Sequence, residues 1–170
     1  MKKMYDYGTA WRVLRVPSIT DQIYIKANRI RSLQTKGISK VGEGIVPEFI
    51  AIVNYAIMGL IQLEKGIADG TNHEDLNDVS MAESYDIQAE AALQLMLRKN
   101  HDYDEAWRLM RVSSYVDFIL TKVFRTKQIE GHDGETLVSE GIDANYMDML
   151  NYAIFALIKL EIEKSVDNVE

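Results

Sequence analysis

The sequence predicts an all-α protein, a tandem-duplicated helical bundle whose two copies pack about a pseudo-twofold axis. Three observations carry this. No run alternates apolar and polar residues over the length of a strand, and no β-turn pair joins extended segments. Several stretches instead repeat apolar residues at steps of three and four. Finally, DYDEAWRLMRVSSYVDFILTKVFR, Asp102 to Arg125, restates DYGTAWRVLRVPSITDQIYIKANR, Asp6 to Arg29, in register and without a gap.

The duplication extends beyond that stretch. Trp11-Arg12, Arg15-Val16, Ser18, Asp21, Ile23, Lys26 and Arg29 recur 96 positions later as Trp107-Arg108, Arg111-Val112, Ser114, Asp117, Ile119, Lys122 and Arg125. One residue is inserted in the next loop, after which Glu43-Gly44-Ile45 matches Glu140-Gly141-Ile142 and Asn54-Tyr55-Ala56-Ile57 matches Asn151-Tyr152-Ala153-Ile154. The expected organisation is a first repeat over residues 1–66, an acidic linker over 67–81, and a second repeat with its preceding helix over 82–170. Packed as one unit, the copies form within one chain the dimer that a single copy would need. Further association of whole chains is compatible with this.

The elements follow in order. TAWRVLR reads as a short helix ended by Pro17, which disfavours a helical residue before it. Ser18 and Ser114 are placed to cap the next helices, with Asp21 and Asp117 three residues on as a near capping box. In the second copy Val116, Ile119, Leu120 and Val123 mark the core side. KGISKVGEG and EGHDGETLVSEG are loops. Pro47 suits the first turn of the following helix and Gly66 its end. AESYDIQAEAALQLMLRKN is helical, with Ala89, Leu93, Met96 and Leu97 expected to pack on the second repeat. The first repeat shows no counterpart to it; a helix upstream of Met1 or a one-sided remnant of the duplication would account for that. The last helix, from about Ala144 to Lys164, is apolar nearly all round and therefore buried.

Composition excludes several functions. The chain has no cysteine, so disulfides and thiolate metal sites are ruled out. His73, His101 and His132 lack metal-ligand spacing. A net charge of −7 argues against direct nucleic-acid binding, which needs a cationic footprint. The N-terminus is not a secretory signal, and the runs FIAIVNYAIMGLIQL and YMDMLNYAIFALIKL read as too short and too polar to span a bilayer. The expected place is the cytoplasm. No Walker loop, dinucleotide fingerprint or Ser/His/Asp arrangement occurs.

What remains is a polar pattern on a greasy helix. Asp148, Asn151, Tyr152 and Lys159 lie along one stripe at steps of three and four, and a buried amide such as Asn151 needs partners. Lys122 and Arg125 on the preceding helix are the expected donors, with Lys26 and Arg29 in the first copy. One reading is a satisfied network that fixes helix register. The other is an anion site, with Lys122 and Arg125 on phosphate oxygens and Asp148 and Glu140 holding Mg²⁺. Arg12, Arg15, Arg108 and Arg111 cover a helix face or form a second phosphate clamp. Trp11 and Trp107 read as core anchors, Met147 and Met149 as ordinary core, and Glu83, Asp86 and Glu90 as a solvated face.

The order DYG/DxAWRxxR, Ser, Asp, KxxR, EG, NYA resembles the first type of nucleotide-modification-associated domain, here as a tandem pair over nearly the whole chain. The resemblance implies a link to nucleotide or base modification. More distantly, Lys/Arg, Glu and Asp-x-x-Asn-Tyr on a helical bundle is similar to the all-α nucleoside triphosphate pyrophosphohydrolases of the MazG and dimeric dUTPase kind. That likeness implies Mg²⁺ bound by clustered acids and attack by water on a phosphoanhydride. Ala51 and Val46 stand where the second copy has Asp148 and Asp143, so chemistry is expected in the second copy. There Glu140, Asp148 and Asn151 would be catalytic, Glu140 and Asp148 would hold the metal, and Lys122, Arg125, Arg108, Arg111, Lys26 and Arg29 would bind phosphates. The alternative is a non-enzymatic scaffold or interaction module whose repeated cluster is structural.

Overall fold

A computed structural model of the chain describes residues 8–36, 44–68, 78–132 and 141–163. Five helices carry the fold: α1 (Val16–Lys36), α2 (Val46–Lys65), α3 (Asp78–Tyr103), α4 (Val112–Glu130) and α5 (Ile142–Leu157), the last continued by a π-helical segment, Ile158–Glu163. Short 3-10 helices, Ala10–Val13 and Ala106–Leu109, precede α1 and α4. Among the described residues there is no strand.

Four helices form a closed ring in which α1 packs on α2, α2 on α5, α5 on α4 and α4 back on α1. The core at its centre is aliphatic, with Ile19, Ile23, Ile30, Ile52, Ile57, Ile119, Val123 and Met149 all buried. The pairings α1–α2 and α4–α5 are equivalent, while α1–α4 and α2–α5 join equivalent helices across the pseudo-axis. A reciprocal pair of ion pairs makes the symmetry concrete. Lys127 of α4 binds Asp21 of α1, and Arg31 of α1 donates to Asp117 of α4 at 2.6 Å. Each contact is the other shifted by one repeat, as a two-faced interface requires.

That finding reassigns the capping residues. Asp21 and Asp117 reach across to the other copy. α1 begins at Val16 and α4 at Val112, so Ser18 and Ser114 lie inside the first turns, and Arg111 before α4 makes no side-chain cap. Pro17 likewise opens α1 and does not terminate the short helix, because the first turn has no need of its N–H. Pro47 and Gly66 behave as expected. Pro47 starts α2, and Gly66 ends it at φ +74°, its N–H donating to Gln62 O at 2.9 Å.

α3 lies outside the ring and packs on both α2 and α5. It starts at Asp78, inside the expected linker, and it serves both copies where one was expected. Tyr85 donates its hydroxyl to Asn54 Oδ1 of α2 at 2.7 Å, and Ala92 O, two turns on, accepts from Asn151 Nδ2 of α5 at 3.3 Å. Asn54 and Asn151 are the same residue of the two repeats, so α3 crosses the pseudo-axis. Its inward face is Met81, Tyr85, Ala89, Ala92 and Met96; Leu93 and Leu97, expected inside, are exposed. α2 is long and apolar enough, on length and composition, to cross a bilayer, contrary to the expectation from its apolar run. It nevertheless packs on three other helices, and half of that stretch is buried.

Candidate functional site

The repeated polar residues gather into one cluster on each flank of the ring. In the second copy, Lys122 of α4 and Lys99 of α3 converge on Asp148 of α5. Lys99 Nζ donates to Oδ1 and Lys122 Nζ approaches Oδ2, each at 2.7 Å. Asp148 is only 8% exposed, while the lysine side chains are 46% and 26% exposed. The two ammonium groups replace the water that the carboxylate has lost, which is what makes its burial tolerable. The lysine side chains stay partly exposed, so ammonium groups remain at the surface of this flank.

In the first copy Lys26 and Arg29 of α1 answer to Glu48 of α2. Lys26 Nζ lies 3.2 Å from one oxygen of the buried carboxylate, and Arg29 bonds the other. Sequence reasoning passed over Glu48 because the position matching Asp148 is Ala51. The acid has moved one turn toward the helix start, and the longer side chain reaches the same kind of partners. At the matching place in the second copy stands Asn145, whose amide turns back to Gly141 O at 2.8 Å. Lys99 was missed as well. The signal for it is the sevenfold spacing Tyr85, Ala92, Lys99 on α3, which meets Asn54, Asn151 and Asp148 in turn.

The other predicted residues are scattered. Asn151 takes no bond from Lys122 or Arg125; its amide goes to α3, and its Oδ1 is buried without a hydrogen-bond partner. Arg125 is exposed, with Nη1 3.5 Å from Gln128 Oε1. Arg108 is also exposed, paired with Glu105 at 2.6 Å and lying over the Trp107 ring at 4.4 Å. Arg111 is exposed beside the start of α4. Glu140, like Glu43, lies outside the described residues. Arg12, expected on an exposed face, is fully buried and bonds Gln62 and, at 2.8 Å, Gly66 O. Trp107 is the core anchor it was expected to be, stacked on Phe155 with ring centroids 4.4 Å apart.

Lys159 and its counterpart Gln62 do one job by different chemistry. Gln62 Nε2 donates to Arg12 O at 2.9 Å and Leu14 O at 2.5 Å. Lys159 Nζ donates to the matching carbonyls, Arg108 O at 2.6 Å and Met110 O at 2.7 Å. Both fasten the short 3-10 helix to the end of the apolar helix.

Two further features belong to one copy alone. Phe118, one turn before Lys122 on α4, stacks on Tyr152, one turn beyond Asp148 on α5, with centroids 5.5 Å apart. Elsewhere, at the α1–α4 junction, Thr20 donates to Glu130 Oε1 at 2.7 Å and lies 2.8 Å from the Tyr146 hydroxyl. Burial pushes the Tyr146 phenol far above its usual range and raises the Glu130 carboxyl. The Thr20 bond and Lys127 partly offset the rise at Glu130, and Asp21 adds to it.

The donor set decides what the second-copy cluster can hold. Both oxygens of Asp148 face ammonium groups, and among the described residues no three acids or histidines converge. Glu140, the second expected ligand, lies outside the described residues, and the described side chains alone do not supply the oxygen set that Mg²⁺ takes. They do present ammonium groups at the surface, fixed by a buried acid, which suits an anion.

A family model described as nucleotide modification associated domain 1 matches the chain twice, over residues 3–63 and 99–160. No curated protein and no solved structure matches it. The family match does not extend to the all-α pyrophosphohydrolases.

Proposed function

The chain belongs to the nucleotide modification associated domain 1 family, as a tandem pair, and on that premise we propose that it binds a nucleotide or another phosphorylated small molecule through the Lys99–Lys122–Asp148 cluster. The observation that carries this reading is the nearly buried Asp148 held between two ammonium groups from different helices that themselves remain partly exposed. In this reading Asp148 is a positioning residue. It holds both lysines at the rim, where their outer N–H groups meet phosphate oxygens, and Arg125, one turn along α4, meets a second phosphate. Lys26 and Arg29 around Glu48 form a lesser anion site. Hydrolysis of a bound phosphoanhydride with Mg²⁺, the enzymatic form of this reading, requires Glu140 to supply an acid that Asp148 does not.

The test is calorimetric titration of the full chain with deoxynucleoside triphosphates, standard and modified, with and without Mg²⁺. Binding is expected without Mg²⁺, and Lys122→Met should weaken it at least tenfold, with some loss of stability because the nearly buried Asp148 keeps a single ammonium partner. A second reading draws on the same ion pairs: they close the bundle and bind nothing, and the chain is a scaffold. It predicts that Lys122→Met and Asp148→Asn cost stability and that the wild type shows no heat of binding with any triphosphate. Turnover with Mg²⁺ that Glu140→Gln abolishes would establish the hydrolase.

A further inference from the structure

Two features near the second-copy cluster are absent from the first copy. Asp148 stands where the first copy has Ala51, and Phe118 stands where it has Gln22. Beside them stands Lys99 of α3, whose sequence counterpart, Lys3, lies outside the described residues. All three border one strip of surface, floored by Asp148 and Tyr152 of α5 and flanked by Lys122 and Phe118 of α4. We propose that Phe118, backed by Tyr152, is the platform on which the base of a nucleoside phosphate stacks. The proposal rests on the phosphate-binding reading of Lys99 and Lys122 and adds the base-binding half of that site.

Placement is the first support. Phe118 and Lys122 are four residues apart on one face of α4, and Asp148 and Tyr152 are four apart on α5. The aromatic pair therefore sits one turn from the Lys122–Asp148 ion pair, about 5–6 Å along the helices. A sugar spans that kind of distance between a base and its 5′ phosphate. Exposure is the second. Phe118 keeps 44% of its surface in water although it already stacks on Tyr152, whereas Tyr115 and Trp107 are buried; exposed Phe124, further along α4, packs on Tyr24 of α1 and not on α5. Leaving that much of a large apolar ring in water is unfavourable for folding. The repeat does not need an aromatic there either, since Gln22 fills the position in the first copy. The third is complementarity. A ligand with an apolar face and an anionic tail matches an exposed ring beside partly exposed ammonium groups, whereas a purely apolar partner would make no use of their charge. Stacking on such a ring tolerates any base, because every base has a π-face.

The experiment compares a deoxynucleoside triphosphate with inorganic tripolyphosphate, titrated into the full chain by calorimetry. The wild type should bind the nucleotide more tightly than tripolyphosphate. Phe118→Ala should weaken the nucleotide about ten- to a hundredfold, leaving tripolyphosphate unchanged. Phe118→Trp should preserve nucleotide binding, which separates stacking from a general loss of packing. Equal affinity of the wild type for both ligands, or an equal loss of both in Phe118→Ala, overturns the platform while the cationic site stands. If neither ligand binds the wild type, the phosphate reading itself fails and takes the platform with it.

Discussion

The first copy answers its flank cations with Glu48, in the first turn of α2, and the second with Asp148, one turn further along α5. The first fastens its short helix with the amide of Gln62, the second with the ammonium of Lys159. At the ring's core, the first copy has Phe49 where the second has Tyr146, whose hydroxyl reaches Thr20; the residue matching Thr20 is Val116. One helical unit has thus kept its electrostatic plan while exchanging the residues that execute it. The plan survives because side-chain length trades against helical position: residues three apart on a helix share a face. The differences also show where the copies have specialised. The second has gained an exposed ring, Phe118, where the first has Gln22, and the first has buried an arginine, Arg12.

The sharpest break between the copies should come at the contact of α2 with α5. A methyl group added at Gly59 would sit 2.1 Å from the Tyr146 ring, which cannot tip away easily because its hydroxyl is held by Thr20. The matching position is Ala156, whose methyl group is already accommodated. Gly59→Ala should therefore destabilise the chain by about 3 kcal/mol through overpacking, against its favourable helix propensity. Ala156→Gly should cost only about 0.5–1 kcal/mol. Urea denaturation of the two variants measures both. Similar small losses would mean that the close approach of the helices is not confined to Gly59.

The exchange of Gln62 and Lys159 is expected to be lopsided. In the first copy the glutamine accepts from buried Arg12 as well as donating to two carbonyls. Gln62→Lys would replace that acceptor with a second cation beside a buried guanidinium, for a loss of about 2–3 kcal/mol. Lys159→Gln places an amide donor where an amide already works in the other copy. Its cost should stay within about 1 kcal/mol, since exposed Arg108 makes no such demand. Thermal melts of the paired variants would show it. Equal losses would mean that Arg12 does not depend on the Gln62 carbonyl oxygen.

These contrasts explain what the sequence could and could not reveal. The duplication, the helices, the ends of α2 and the core side of α4 follow from periodicity and from Pro and Gly chemistry, which act locally. Pro17 was misread because proline both stops one helix and starts another; what decides is where the next hydrogen-bonded turn begins. Asp21 and Asp117 resembled caps, yet they meet Lys127 and Arg31 across the interface, a pairing fixed by tertiary packing. Glu48 was invisible to position-by-position matching because the equivalence runs through space and not along the alignment. Lys122 and Asp148 are expected from helical spacing in one polar cluster, and there they meet as an ion pair. Asn151 was assigned to α4 donors, whereas α3, crossing both copies, claims its amide. The expected face of α3 holds for Ala89 and Met96 and fails for Leu93 and Leu97, which obey helical spacing while small Ala89 and Ala92 allow the closer packing on α2 and α5.

The smallest expected effect is a dependence on pH that the first copy lacks. Tyr146, Thr20 and Glu130 form a hydrogen-bonded chain, whereas the corresponding residues, Phe49, Val116 and Gln34, carry no ionisable group. Burial raises the Glu130 carboxyl above its ordinary value, so between that value and the raised one the folded chain binds more protons than the unfolded chain. In that window stability falls as pH rises. Glu130 thus favours folding most fully below the ordinary glutamate range, and that contribution is lost as pH climbs through its folded pKa. Glu130→Gln, which installs the amide found at Gln34, should remove this component. The variant should match the wild type at the acid end and gain slightly on it toward neutral pH, the gain limited by solvent around the half-buried carboxyl and by its pairing near Lys127. Urea midpoints measured from pH 4 to 7 provide the check. A variant that loses stability toward neutral pH would show that the ionised Glu130 is held by Thr20 and Lys127 more firmly than burial opposes it.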